Sequence, residues 1–232
     1  MKDIRILLCE DDPSLGRLLS DYLKAKGFEV TWAQDGVEGL KAFHRDTFDF
    51  IVLDVMMPRK DGFQVAEEIR LESRSIPILF LTARSTKDDT LEGFKVGADD
   101  YMSKPVRPHA LLARLRVHLR RAGQSGTEAT TTRISVDDLL IDTTNRSVSI
   151  GDHNIDLTTA EFDLLWLLAK NAGKVIPRDE LYQELHGVRY DGLDRSIDLR
   201  VSRLRKKIGD DPVQPQRIKS VRSVGYLLAT QS

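Results

Sequence analysis

Short apolar runs alternate with stretches of helical periodicity through the first half of the chain. The runs are Ile4–Cys9, Val30–Ala33, Phe50–Leu53, Ile76–Leu81 and a short one around Tyr101–Met102. Between them, Leu15, Leu18, Leu19, Tyr22 and Leu23 recur every three or four positions after Pro13, and Gly27 follows as a C-cap would. Further helical patterns cover Val37–Arg45, Phe63–Glu72, Lys87–Val96 and Pro108–Arg121. Strand–helix alternation repeated five times predicts an α/β domain with a parallel sheet and helices on both faces.

The second half reads differently. Alternating runs over Ile134–Ile150, with a turn at Asp142–Asn145, predict antiparallel strands. Helical patterns follow at Thr159–Lys170, Arg178–Leu185 and Arg195–Ile208, then two short strands at Ile218–Val221 and Tyr226–Ala229. Between the halves, AGQSGTEATTTR (Ala122–Arg133) has no large apolar residue and is rich in Gly, Ser and Thr, the composition of a flexible linker. The expected organisation is a domain over 1–121, a linker over 122–133 and an α+β domain over 134–232.

Charge sharpens this division. The 232 residues carry a net charge of −1, which argues against a bulk polycation and against an acidic disordered tail. The sum hides a local excess of +6 over residues 195–222 and of −6 over residues 121–194. One cysteine, Cys9, leaves no internal disulfide or multi-cysteine metal site. The absence of a long apolar run predicts neither a signal peptide nor a membrane-spanning helix, and hence a cytoplasmic protein.

In an open parallel sheet, ligands bind beyond the carboxyl ends of the strands. The residues following the apolar runs are Glu10, Asp11 and Asp12 after the first, Asp54 after the third, Thr82 after the fourth and Lys104 after the fifth. Any one of these is an ordinary loop polar residue; all of them after successive strands is not an ordinary pattern. Clustered carboxylates suit Mg²⁺, which takes one or two of them together with waters and a phosphate. A carboxylate beside Mg²⁺ can attack a phosphoryl group and become an acyl phosphate, with Thr82 donating to the new oxygens and Lys104 neutralising them.

The motifs ILLCEDDP, IVLDVMMPRKDG, LTA and DDYMSKP make residues 1–121 resemble the receiver domain of two-component response regulators. The resemblance implies a flavodoxin-like, CheY-like fold. It makes Asp54 the phosphoacceptor, Glu10, Asp11, Asp54 and the Met56 backbone carbonyl the Mg²⁺ ligands, and Thr82 and Tyr101 the switch pair. Asp12 would extend the acidic cluster, and Lys104–Pro105 would be cis. A sensor histidine kinase would be the phosphodonor. The family responds by dimerising through the helix near Lys87, the strand at Tyr101 and the helix at Pro108–Arg121, where Asp99, Asp100, Arg114, Arg116 and Arg121 would pair across subunits. A basic–acidic pair common in the subfamily is replaced here by Thr90 and Ala110. The rival phosphatase family with an Asp nucleophile wants a second Asp at the position of Met56 and is disfavoured.

In the stretch Asp194–Ile208, Ile197, Val201, Leu204 and Ile208 form one apolar stripe, and Asp194 would cap the helix. Arg195, Ser196, Leu199, Ser202, Arg203 and Lys206 fall on the opposite side, flanked by Arg200 and Lys207. A helix anchored by aliphatics with Arg and Ser facing out suits the DNA major groove. The downstream hairpin carries Arg222 near its tip, placed for a minor groove. With LTTAEFDLLWLLAKNAGKVIPRDEL, these segments resemble the winged helix-turn-helix effector domain of the OmpR/PhoB subfamily, and especially its RstA branch. On this resemblance Arg200 and Arg203 would read base edges. Arg195, Ser196, Ser202, Arg205 and Lys206 would make phosphate or flanking contacts, and Arg222 would act from the wing. Glu184–Gly192 corresponds to the region that meets RNA polymerase in some relatives.

The combined reading is a phosphorylation-activated, sequence-specific transcriptional regulator. It binds double-stranded DNA as a dimer on tandem direct repeats, and its only catalysis is its own Mg²⁺-dependent phosphotransfer and slow autodephosphorylation. The alternatives are a DNA-binding regulator that needs no phosphorylation, an Asp-nucleophile phosphatase, and a receiver joined to a protein-binding module.

Overall fold

In the computed structural model, residues 4–83, 99–123, 132–187, 190 and 196–230 are described. The chain separates into two compact units, Met1–Leu119 and Arg120–Ser232. The helix expected near Lys87 and most of the expected linker lie outside the described residues, as do Thr90, Asp194, Arg195 and the side chain of Arg121.

The first unit is built on five parallel strands: β1 (Arg5–Cys9), β2 (Glu29–Ala33), β3 (Phe50–Asp54), β4 (Ile78–Thr82) and β5 (Asp100–Ser103). Their order across the sheet is β2-β1-β3-β4-β5. The helices are α1 (Pro13–Ala25), α2 (Gly36–Arg45), α3 (Gly62–Glu72) and α4 (Pro108–Gly123). Strands β3 and β4 are buried along their whole length, which is why both read as continuous apolar runs. Ile6, Leu8, Phe50, Val52, Leu79 and Leu81 face one way, into a core with Leu19 and Leu23 of α1 and Leu111, Leu112 and Leu115 of α4. Leu7, Ile51, Leu53 and Phe80 alternate to the opposite face and are also buried, with Phe63 of α3 edge-on to Phe80. Because β1 lies between β2 and β3, the strand order reverses there, and the ends of β1 and β3 open onto one crevice.

Asp12 has a local role that its acidic neighbourhood disguised. Its Oδ1 accepts from the backbone N–H groups of Ser14 and Leu15 at 2.7 and 3.1 Å, so it is the N-cap of α1. Its carboxyl is held below the usual carboxylate range by those two N–H groups. Asp35 caps α2 in the same way, and Asp61 forms a reciprocal capping box with Gln64 on α3.

The second unit opens with an antiparallel sheet of β6 (Arg133–Val136), β7 (Leu139–Asp142), β8 (Ser147–Ile150) and β9 (His153–Asn154). Three helices follow, α5 (Thr159–Lys170), α6 (Arg178–His186) and α7 (Ser196–Lys207). A second sheet has the order β10-β12-β11, from β10 (Ile176–Pro177), β11 (Ile218–Val221) and β12 (Gly225–Leu228). The hydrophobic pattern missed β10, because two residues ahead of a helix are too short for any periodicity to register. Gly225 makes its pairing possible: a Cβ there would stand 1.9 Å from the Ile176 carbonyl oxygen. Leu164, Leu165 and Leu168 of α5, Leu181 and Leu185 of α6, and Ile197, Val201 and Leu204 of α7 form one core with Tyr226 and Leu228 of β12.

Candidate phosphoacceptor pocket and nucleic-acid interface

Asp54 ends β3 and is 2% exposed; Glu10 follows β1 and is fully buried. Lys104, just past β5, donates from Nζ to Glu10 Oε1 and to Asp54 Oδ2, both at 2.8 Å. The Lys104 N–H bonds the Thr82 carbonyl at 2.7 Å, so the ammonium is carried on a backbone fixed to the end of β4. The Lys104–Pro105 bond is cis. Asp54 Oδ1 accepts from the Met56 N–H at 3.2 Å, and Glu10 Oε1 from the Asp12 N–H at 3.3 Å. Gly62 lets α3 begin against the pocket: a Cβ there would stand 2.2 Å from the Asp54 carbonyl oxygen.

Electrostatically the pocket is short of positive charge. Burial pushes the Glu10 carboxyl up to about 7, and the nearby Asp54 adds to the rise against the opposing pull of Lys104. Burial raises Asp54 as well, again against Lys104. Burial works against the Lys104 ammonium, but its bonds to the two carboxylates win and raise its pKa. Among the described residues Glu10 Oε2 is buried without a hydrogen-bond partner. Ligand oxygens of Glu10, Asp11 and Asp54 lie within 4.8 Å of one another. An orphaned buried oxygen in a compact set of hard oxygen donors fits a divalent cation such as Mg²⁺.

The switch candidates stand beside this pocket. Thr82 ends β4 and is buried. The Tyr101 ring is buried in this structure, 5.3 Å between centroids from Phe80.

On the second unit, α7 presents Ser202 and Lys206 to solvent, and Arg222 is exposed in the turn between β11 and β12. Arg203 is partly buried, its Nε 3.8 Å from Glu161 Oε1. Glu161 is 1% exposed, accepts from Lys207 Nζ at 2.6 Å, and closes a capping box with Thr158 at the start of α5. Burial works against the Glu161 charge, but Lys207 and Arg203 outweigh it and hold its carboxyl below the usual range.

Comparison with known proteins agrees with both halves of this geometry. Residues 6–116 match the response regulator receiver domain, and residues 152–228 match the transcriptional regulatory protein C-terminal domain. The transcriptional regulatory protein RprY of Bacteroides fragilis is 42% identical over 98% of this chain and 95% of its own. RstA of Escherichia coli is 40% identical over 97% of each chain. The structure of DrrB, a Thermotoga maritima OmpR/PhoB homologue, superposes with a TM-score of 0.53 at 32% identity, covering 98% of this chain and 99% of that one. The chain belongs to the OmpR/PhoB family of response regulators. It is a phosphorylation-activated DNA-binding transcriptional regulator of a two-component system.

Several expected surface residues of this response regulator are placed elsewhere. Arg200 is 1% exposed, so its guanidinium is not offered to a base edge in this structure; it borders the buried stripe of Ile197, Val201 and Leu204. Ser196 is likewise buried, and its hydroxyl donates to the Tyr182 hydroxyl at 3.2 Å. Arg205 bonds the Ile218 carbonyl and Ser220, so it serves the hairpin instead of pointing outward. Three residues expected to pair across subunits pair within the chain. Asp99 takes Arg70 at 2.7 Å and the Ile78 N–H at 2.8 Å. Asp100 takes Arg114 at 2.5 Å and lies 3.5 Å from His118. For Asp99, Asp100, Arg114 and Arg205 the physical reason is shared: a charged side chain desolvated at a sheet end or beside an apolar stripe turns to the nearest polar partner. Arg116 is exposed.

Three supporting residues were not anticipated in their roles. Trp32 donates its indole N–H to the Glu10 carbonyl at 2.9 Å, fixing the backbone that carries the acidic cluster. Arg59, in the loop after Asp54, has a left-handed backbone (φ 66°) and pairs with Asp35, the cap of α2. Glu161 anchors two cations of α7. Its capping-box spacing, Thr158-x-x-Glu161, was legible in the sequence; its second bond to Lys207, 46 residues away, was not. Cys9 is buried, its thiol pushed up to about 12 by desolvation, and it is inert.

Proposed function

We propose that Asp54 accepts a phosphoryl group from the phosphohistidine of a sensor kinase. Glu10, Asp11, Asp54 and the Met56 carbonyl would hold Mg²⁺. The observation that carries this reading is Lys104 Nζ shared between Asp54 and Glu10, beside a buried glutamate oxygen with no partner. When bound, Mg²⁺ supplies the positive charge that draws phosphoryl oxygens to the carboxylates and offsets the accumulating negative charge. The Asp54 carboxylate attacks phosphorus as the bond to the donor imidazole breaks, giving an acyl phosphate. Lys104 then has a phosphoryl oxygen to neutralise, and Thr82 a hydrogen-bond acceptor to approach. The added charge, roughly −1.5 to −2, falls at the end of a sheet that otherwise excludes water. Tyr101 and Thr82 serve as the switch, and the chain dimerises when phosphorylated.

In the same reading, residues 1–121 act as the receiver, 122–133 as a flexible linker and 134–232 as the effector. Arg203 reads base edges, with Arg195, Ser202 and Lys206 on flanking contacts and Arg222 in the minor groove. Double-stranded DNA with tandem direct half-sites is the partner, RNA polymerase meets the segment 184–192, and the protein acts in the cytoplasm. It is not an enzyme acting on other molecules.

The test compares DNA affinity of wild type and Asp54→Ala, each with Mg²⁺ and a small phosphodonor. A gain confined to the wild type supports the reading. Equal affinities favour a regulator that needs no phosphorylation. Steady multiple turnover of a soluble phosphoester would point to a phosphatase instead.

A further inference from the structure

The recognition helix α7 and the β11–β12 hairpin are tied together at two places, and the ties converge on one rung of the hairpin. Arg205 donates from Nε and Nη2 to the Ile218 carbonyl at 2.9 and 2.7 Å, and from Nη2 to the Ser220 hydroxyl at 2.9 Å. Ser220 pairs directly with Tyr226 across the hairpin. The Tyr226 hydroxyl donates in turn to Asp198, two turns earlier on α7, and Arg178 at the start of α6 bonds Asp198 at 3.2 Å while lying over the Tyr226 ring. Both ends of the Ser220–Tyr226 rung are therefore held by α7, through residues 198 and 205. Only the Val221–Gly225 rung separates that anchor from the turn bearing Arg222. Asp210, just past α7, adds bonds to the N–H groups of residues 216, 217 and 218, fixing where the hairpin begins.

On its β12 side the hairpin is paired to the two-residue strand β10 at Tyr226 and Gly225, with the Arg178 N–H on the Val224 carbonyl at 3.1 Å; on its β11 side Arg205 supplies the tie to α7. A base reader on a helix and a second reader on a hairpin tip act together only if the distance between them is fixed before binding. From this geometry we infer that Arg205 is a positioning residue. It makes no DNA contact of its own; with Asp198 it locks the wing to the recognition helix, so that Arg222 meets the groove adjacent to the one α7 occupies. The chemistry of the bond favours arginine, because one planar guanidinium reaches a carbonyl and a hydroxyl on the same strand, whereas an ammonium offers a single point charge. The inference rests on the proposed role of Arg222, so its test separates the two.

The probe is a duplex enriched from a random-sequence pool by the full-length wild-type protein. Affinity is measured for Arg222→Ala alone and in the Arg205→Lys, Arg205→Gln and Ser220→Ala backgrounds. Arg222→Ala is expected to weaken binding about tenfold in the wild type and less than about twofold where Arg205 is changed. Arg205→Lys is expected to be as weak as Arg205→Gln. Ser220→Ala, which removes no charge, is expected to reproduce part of the effect. Rescue by Arg205→Lys, with Arg222→Ala keeping its full cost in every background, overturns the proposal and makes Arg205 a phosphate contact. Amide hydrogen exchange reads the tie without DNA. Faster exchange over residues 221–225 in Arg205→Gln supports it even if Arg222→Ala proves silent, in which case only the groove role of Arg222 fails. Unchanged exchange there overturns it.

Discussion

Glu10 and Glu161 are the same residue type, almost equally buried, and each bonds a lysine at under 3 Å, yet their carboxyls move in opposite directions. Among the described residues each keeps one buried oxygen without a hydrogen bond, Glu10 Oε2 and Glu161 Oε1, but Glu10 divides its lysine with Asp54. Glu161 has Lys207, a second cation in Arg203 at 3.8 Å, and the Thr158 N–H. One site sets a single lysine against two carboxylates, and the other sets two cations against one. A buried carboxylate that its own chain neutralises is part of the fold. One that is left under-neutralised is a place for a cation or a phosphoryl group to enter.

The difference breaks most sharply at Glu161. Glu161→Ala leaves the partly buried Arg203 without this counter-charge and removes the capping-box partner of Thr158. It is expected to destabilise the second unit by about 3 kcal/mol, the lost cap and the partly buried arginine taken together. The two tryptophans separate the units, Trp32 reporting the first and Trp166 the second. Thermal unfolding followed in Trp166→Phe and Trp32→Phe backgrounds should show the loss only through Trp166. An undiminished second transition would mean that the Glu161 cluster contributes nothing net.

The matching cut in the pocket is Lys104→Met. Two buried carboxylates then have no shared cation, and the first unit is expected to lose about 2 kcal/mol without Mg²⁺, a smaller figure because Glu10 can take up a proton. Millimolar Mg²⁺ should return more stability to this variant than to the wild type. A Mg²⁺ response no larger than that of the wild type would show that Lys104 and the cation do not serve the same charge deficit.

Acidity sharpens the comparison without any mutation. The folded-state pKa of Glu10 is raised from 4.5 to about 7, so the folded form holds the proton more tightly. Its contribution is fully present below about 4.5 and is lost as pH rises to about 7. Glu161 is lowered, so its contribution is present above 4.5 and is lost as pH falls further. The first unit should therefore gain stability from pH 7 to pH 5 in Mg²⁺-free buffer while the second holds steady and then weakens below pH 4.5. Glu10→Gln should flatten the first slope, and parallel profiles for the two units would contradict the assignment.

Much of this was legible because the fold writes itself in hydrophobic runs. β3 and β4 are buried on both faces and announce themselves as IVLD and ILFLT, and the residue ending each such run is a site residue by topology alone. What stayed hidden depends on which counter-group lies nearest in space. Arg200 and Arg203 were both expected at base edges, yet Arg200, which flanks the apolar stripe, is 1% exposed and Arg203 lies 3.8 Å from Glu161. Asp99 and Asp100 looked like surface acids until Arg70 and Arg114 were seen to hold them from α3 and α4. Helical spacing predicts the face of a residue; it does not predict a partner dozens of positions away.

Asp12 offers the smallest test and the finest one. It stands directly after Glu10 and Asp11, and sequence adjacency makes it a third acid of the cation site. Its Oδ1 instead serves the first turn of α1, and its neighbour Pro13 occupies a position where no N–H is needed. Asp12→Ala should lower the first unit's melting temperature as the loss of a cap does, and Asp12→Ser, which caps without a carboxylate, should restore most of it. Mg²⁺ affinity, titrated through Trp32 fluorescence, should be the same in Asp12→Ser as in the wild type. If it fell as far as it does in Asp11→Ser, Asp12 would belong to the cation site after all, and the charge deficit around Glu10 would be larger than three carboxylates and one lysine describe.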